Sequence, residues 1–119
     1  LASEDVHLNM MNMLMQMYPQ YKVGYSDHTQ GVLAPVAAVA AGAVVIEKHI
    51  TMDREMPVLN LHEGRKYLGT DHILALEPDE LKEMVRQIRE VEVMLGSWSW
   101  ERSAGENVLV NFLRQRFQS

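Results

Sequence analysis

Cysteine is missing from this chain altogether. That excludes a disulfide framework and any thiolate metal centre, and it makes a reducing, cytoplasmic setting the expectation. Clustered positive charge is also missing: 11 Lys and Arg stand against 16 Asp and Glu, for a net charge of -5. Nucleic-acid grooves and anionic lipid surfaces need grouped cations, so neither is an expected partner. Long apolar runs are absent too. The most apolar window, "GVLAPVAAVAAGAVVI", falls short of the ~20 residues a bilayer span requires, is interrupted by Pro35 and Gly42, and runs into Glu47 and Lys48. It reads as protein core. The chain opens on Leu1 with no basic leader, so no secretory signal is expected and a piece cut from a longer protein is.

What is present alternates between two periods. Ser3, Glu4 and Asp5 form a helix start, with a capping hydroxyl and acids in the first turn. Val6, Met10, Met13, Leu14 and Met17 then recur on one helical face up to Pro19, which predicts one helix with methionine-rich, adaptable packing. "YKVGYSDH" reads as a short strand whose polar residues gather at its C-terminal end. The alanine-rich run from Val32 to Ala41 predicts a buried helix that tolerates Pro35 only in its first turn and closes at Gly42. "AVVIEKHI" is a β-branched run of the kind buried on both faces of a parallel sheet. Pro78, Asp79 and Glu80 open the clearest helix, with Leu81, Met84, Val85, Ile88, Val91 and Leu95 on one face and Gly96 at a left-handed C-cap. The tail after Gly96 shows no strong period.

Helices alternating with buried strands imply parallel βαβ units. Two parallel strands make neither a closed nor a doubly covered sheet. The expectation is therefore an α/β fold, the C-terminal portion of a (β/α)8 TIM barrel in the order helix-strand-helix-strand-helix. Residues 1–96 would form this partial catalytic domain and 97–119 a linker or tail. Unpaired sheet edges would leave the isolated chain prone to self-association, and a chain that lacks the other barrel strands is expected to be inactive.

Alternation along a strand puts Ser26 and His28 on one face, and Glu47 and His49 on one face of the next strand. If both pairs point inward, two imidazoles, a carboxylate and a hydroxyl converge at the mouth where barrel enzymes keep their active sites, with Gly24 permitting close backbone approach. Two histidines with oxygen ligands can hold a divalent metal. From spacing alone that reading stands level with a structural one, in which Asp27 or backbone carbonyls satisfy both imidazoles. Asp71 and His72, in "GTDH", are further candidates because their loop rises from the same end. His7 is expected on a helix surface and His62 on a loop surface. Lys48 faces outward and reads as structural.

Four stretches, "PQYKVGYSDHTQG", "AAVAAGAVVIEKHITMD", "GTDH" and "LEPDELKEMVRQIREVEVMLG", occur in that order, and together they resemble the sialic acid synthase family. That family comprises N-acetylneuraminate synthase and its legionaminic acid, pseudaminic acid and spore-coat polysaccharide relatives. The resemblance implies a carbohydrate-biosynthetic transferase that condenses phosphoenolpyruvate with an N-acyl hexosamine, such as N-acetylmannosamine, to give a nonulosonate and phosphate. It further implies that His28 and His49 hold manganese or magnesium. Ser26 would bind the phosphate or carboxylate of phosphoenolpyruvate. Glu47 and Asp71 would contact the open-chain sugar as the catalytic groups, Glu47 assisting proton movement. A homodimer is expected of the full-length protein.

Two departures accompany the resemblance. Between Asp53 and Gly69 the family has a short link, whereas this chain carries "REMPVLNLHEGRKYL". An irregular segment of that length on the active-site side is expected to act as a lid. Arg65 and Lys66 could reach a carboxylate or phosphate there, and Leu59 and Leu61 could cover an N-acyl group. The tail matches the family only faintly. Competing readings are a metal-dependent barrel hydrolase, which also uses strand-end histidines, and a non-catalytic truncated fragment with vestigial ones.

Overall fold

Two three-residue strands form the frame on which the functional groups sit. In the computed structural model, which describes residues 1–56, 58–60, 65–67 and 70–118, β1 (Tyr25–Asp27) and β2 (Ile46–Lys48) pair in parallel. Tyr25 lies opposite Ile46, Ser26 opposite Glu47 and Asp27 opposite Lys48. The ladder continues backwards, since the Val44 N–H donates to the Val23 carbonyl at 3.0 Å and the Tyr25 N–H to the Val45 carbonyl at 2.8 Å. Gly24 allows this approach. A Cβ at that position would stand 2.8 Å from the Val45 oxygen and 2.9 Å from its Cβ. The close approach expected of Gly24 is thus made to the neighbouring strand.

A third parallel path corrects the expectation of two. Ile50 bridges Leu76, the Leu76 N–H donates to the His49 carbonyl at 2.9 Å, and the Thr51 N–H donates to the Leu76 carbonyl at 2.9 Å. Leu76 is fully buried. Its segment therefore takes the position of the next barrel strand, directly beyond the end of β2.

Around this frame stand α1 (Asn9–Met17), α2 (Leu33–Ala40), the short α3 (Thr70–Leu74), α4 (Pro78–Leu95) and α5 (Ala104–Phe117). α2 is the crossover between β1 and β2. Pro35 sits buried in its first turn, and Ala38 and Val39 bury its inner face, because small side chains let the helix lie close to the sheet. Gly42 follows at φ 111°, a conformation that favours glycine. α4 begins at Pro78 as expected, with Glu77 and Glu80 forming a capping box. It packs on α2, with Met84 buried, Leu81, Ile88 and Val91 half-buried, and Val85 and Leu95 exposed. Gly96 adopts φ 61° but ψ -146°, so the left-handed cap is met in φ alone.

The first helix differs from its expectation. Ser3–Asp5 is a single 3-10 turn, and His7 at φ 48° separates it from α1. The phase restarts there. Met11 is the buried residue of α1, while Leu8 and Met15 pack on the cluster of Met11, Ala38 and Ala43. Met10, Met13, Leu14 and Met17, the face expected to pack, are exposed. Methionine occupies both faces, so apolar periodicity could not choose between them.

The segment expected to be irregular contains an antiparallel hairpin, β3 (Val58–Asn60) with β4 (Arg65–Tyr67), in which Leu59 opposes Lys66 and Asn60 opposes Arg65. Leu61, His62, Leu68 and Gly69 lie outside the described residues. The segment is anchored at its start. The Arg54 N–H donates to Glu77 Oε2 at 3.2 Å, and its guanidinium donates to the Ala75 carbonyl at 3.2 Å and pairs with Glu80.

The tail, read as having no strong period, is a helix. Ser103 caps α5, accepting a hydrogen bond from the Glu106 N–H at 3.2 Å, while Glu106 returns the capping box to the Ser103 N–H at 2.7 Å. The Cα radius of gyration is 20.6 Å, against about 13 to 14 Å for a compact domain of this length. Exposed apolar side chains on α1, α4 and α5 accompany that open shape, as expected of one sector of a barrel. Among the described residues, no helix is long and apolar enough to cross a membrane.

Candidate active site

The register of β1 and β2 sorts their side chains onto two faces. On one face, Ser26 and Glu47 are direct neighbours, and the Ser26 hydroxyl donates to Glu47 Oε1 at 2.7 Å. One step further along each strand stand His28 and His49, with ring centroids 5.4 Å apart and planes inclined by 62°. Ser26 Oγ lies 3.4 Å from His28 Nε2. Asp71, from the first turn of α3, closes the group. Its carboxylate oxygens stand 3.5 Å from His28 Nδ1 and 3.9 Å from His49 Nε2.

His28, His49 and Asp71 each present one ligand atom, and these atoms all lie within 4.8 Å of one another. Two imidazole nitrogens and one carboxylate oxygen at such spacing suit a first-row divalent cation with positions left open for water or substrate. The donor set therefore fits manganese, whereas magnesium, which prefers oxygen ligands, fits it less well. All three side chains are between 41% and 58% exposed, so the group faces open space rather than core.

The other face is its opposite in every respect. Asp27 and Lys48 are 0% and 2% exposed at their side chains, and Lys48 Nζ lies 2.7 Å from Asp27 Oδ2. The Tyr25 hydroxyl donates to Asp27 Oδ1 at 2.7 Å, the Thr29 hydroxyl lies 3.0 Å from both carboxylate oxygens, and Lys48 also donates to the Thr29 carbonyl. Burial raises the Asp27 carboxyl, but the hydrogen bonds from Lys48, Tyr25 and Thr29 outweigh it and hold the group below the usual carboxylate value. Burial, the hydrogen bond to Asp27 and that residue's charge push the Tyr25 phenol above its ordinary value.

Of the residues singled out from sequence, the structure brings together Ser26, His28, Glu47, His49 and Asp71. His72 stays apart from the cluster, with its Nε2 buried and without a hydrogen-bond partner. His7 is exposed, as expected, although it lies in a turn and not on a helix. Asp27 does not satisfy the histidines, because alternation turns it to the opposite face. The outward Lys48 is buried there. A groove of about 650 Å³ between α2 and α4, lined by Val39, Ile46, Met84 and Ile88 among others, shares no residue with the cluster.

A sector of parallel βαβ barrel with a cation-capable group at its strand ends has the layout of a (β/α)8 barrel. The NeuB family profile matches residues 1–99, and the chain belongs to that family. It is 43% identical over 103 residues to the N,N'-diacetyllegionaminic acid synthase of Legionella pneumophila, covering 87% of this chain and 26% of that protein. With the human N-acetylneuraminate-9-phosphate synthase it shares 42% identity over 97 residues, covering 82% of this chain and 24% of that one. The crystal structure of N-acetylneuraminic acid synthetase from Leptospira borgpetersenii superposes with a TM-score of 0.72 at 30% identity, over 99% of this chain and 37% of that one. The chain thus spans about a quarter of the length of the curated relatives it matches. The fold is the expected partial TIM barrel, and the relatives are synthases of carbohydrate biosynthesis.

Proposed function

We propose that the full-length protein carrying this chain condenses phosphoenolpyruvate with an N-acyl hexosamine to form a sialic-acid-like nonulosonate and phosphate. The observation that carries this reading is the convergence of His28, His49 and Asp71 beside the hydrogen-bonded Ser26 and Glu47 pair, in a chain of the NeuB family. Family membership favours it over a barrel hydrolase. In the reaction the methylene carbon of phosphoenolpyruvate bonds to the sugar's aldehyde carbon. Water supplies the oxygen of the new keto group as phosphate leaves.

Manganese or magnesium held by His28 and His49 would supply Lewis-acid stabilisation of the alkoxide developing on the aldehyde oxygen. Ser26 would turn its hydroxyl from Glu47 to the phosphate or carboxylate of phosphoenolpyruvate when that substrate binds. Glu47, one step below the histidines on the same face, would move the proton that the aldehyde oxygen acquires. Asp71 sits within reach of both imidazoles, so it can orient a sugar hydroxyl at the same point and bias the histidines' ring orientation. The hairpin of β3 and β4 leaves the chain between His49 and Asp71, and it serves as the segment that covers the acceptor. Two copies of the full-length protein form the working unit.

Phosphate release, measured with phosphoenolpyruvate and a panel of N-acyl hexosamines, tests the reaction. Release that needs both substrates is expected, and release indifferent to the acceptor would sink the reading. For the metal, a His28→Ala, His49→Ala double variant should lose manganese binding by paramagnetic titration. Equal affinity in both proteins would remove the two histidines from the centre.

A further inference from the structure

Lys48 is the residue immediately before His49, and its ammonium grips Asp27 and Thr29, the two residues on either side of His28. The contacts come from one buried point: the Lys48 side chain is 2% exposed and that of Asp27 is 0% exposed. The carboxylate's remaining capacity is taken up by the Tyr25 and Thr29 hydroxyls. One cation therefore ties the backbone on both sides of one histidine to the backbone next to the other. Desolvating two charges is costly, and an apolar pair of similar volume often stabilises a fold as well or better. Stability alone does not account for an ion pair at this place.

We infer that the buried Asp27–Lys48 pair is a positioning device that fixes the separation and orientation of His28 and His49, acting through the strands from the face opposite the site. It rests on the metal reading above for its function, but its geometric content does not. Neither residue touches metal or substrate, so both are positioning residues. With the pair replaced by neutral side chains of similar size, the sheet keeps its hydrophobic support from Ile46, Ala38 and Met11, while the rung below the histidines loses its directional contacts. The two imidazoles then sample a wider range of separations, and a cation that needs both at once is held less well.

The test uses the full-length protein and its Asp27→Asn, Lys48→Met double variant. Manganese affinity is read by electron paramagnetic resonance of the free ion. In the metal-free proteins, the His28–His49 ring contact is read by nuclear Overhauser effect with labelled histidine. The expected result is a 10- to 100-fold loss of manganese affinity, the range for residues that support metal ligands, with a weakened ring contact in a variant whose thermal transition stays cooperative. Unchanged affinity and an unchanged ring contact in the folded variant would overturn the inference. Should the double variant fail to fold, Lys48→Arg decides, because it keeps the charge and moves the gripping atoms. A manganese spectrum and ring contact like those of the unsubstituted protein would overturn it, and altered ones would support it. If the unsubstituted protein binds no manganese, the metal reading falls by itself and the ring contact alone judges the positioning claim.

Discussion

The two faces of β1 and β2 differ more than any other two regions of the molecule. One carries Ser26, Glu47, His28 and His49 towards open space. The other, displaced by one residue, buries Asp27 and Lys48 almost completely. Period-two alternation separates them, so adjacent residues in "SDH" and "EKH" have unrelated tasks. The exposed face keeps its groups accessible to ligands. The buried face spends an ion pair on holding the strands in one register, where a slip by a single residue would exchange the faces.

Removing one member of the buried pair should give the largest effect. Lys48→Met leaves an uncompensated buried carboxylate, which costs about 3 to 5 kcal/mol, whereas the Asp27→Asn, Lys48→Met double variant should recover most of that loss. Denaturant unfolding of the full-length proteins measures both. A single variant as stable as the unsubstituted protein would erase the contrast between the faces.

Tyr25 sharpens the comparison through pH. Its phenol is pushed up by burial first, then by the hydrogen bond to Asp27 and that carboxylate's charge. A group whose ionisation is raised on folding stabilises the fold fully below its unfolded value, about 10 for tyrosine. That contribution is lost as pH climbs through the raised folded value. Tyr25→Phe should cost about 1.5 to 3 kcal/mol at neutral pH, as for a hydrogen bond to a charged group. The deficit should shrink at strongly alkaline pH, where the unsubstituted protein loses the same contact. Unfolding free energies measured on both sides of pH 10 check the sign. A gap that widens with pH would contradict the buried-face assignment.

Gly24→Ala should follow, at about 1 to 3 kcal/mol, typical for overpacking. Its new methyl group would meet the backbone oxygen and Cβ of Val45, which are not the ends of a flexible side chain. Thermal unfolding measures the loss. A histidine ring contact changed by the same substitution would show that strand spacing, as well as the ion pair, sets the site.

How far the sequence alone reaches follows from the same physics. The strands, α2, α4 and the convergence of five site residues were legible, because β-branched runs, Pro35, Pro78 and two-residue alternation are local signals. The packed face of α1 was not, since methionines at every phase mask the restart at His7. The bridge of Ile50 to Leu76 was also hidden, because a one-residue pairing leaves no periodic trace. α5 carries a readable signal in Ser103 and Glu106, the spacing of a capping box, but the weak apolar period behind it marks no packed face. The task of Asp27 is illegible for a different reason. Its partner Lys48 is 21 residues away, so their pairing exists only once the register is known.

The smallest stability effect belongs to the exposed face and completes the contrast. Glu47 shares a hydrogen bond with Ser26, yet that contact is exposed, and water replaces it when either partner is changed. Glu47→Gln keeps the shape and an acceptor for the Ser26 hydroxyl, so unfolding free energy should move by less than about 1 kcal/mol, the size of one net hydrogen bond. Its effect belongs to the chemistry. If Glu47 moves the proton acquired by the aldehyde oxygen, the amide should lower the rate of acceptor-dependent phosphate release by about 10²- to 10⁴-fold while manganese affinity stays close to that of the unsubstituted protein. Steady-state phosphate assays beside a manganese titration and a denaturant curve read the three quantities on one preparation. Full activity with a large loss of stability would mean that the two faces exchange the tasks given to them here.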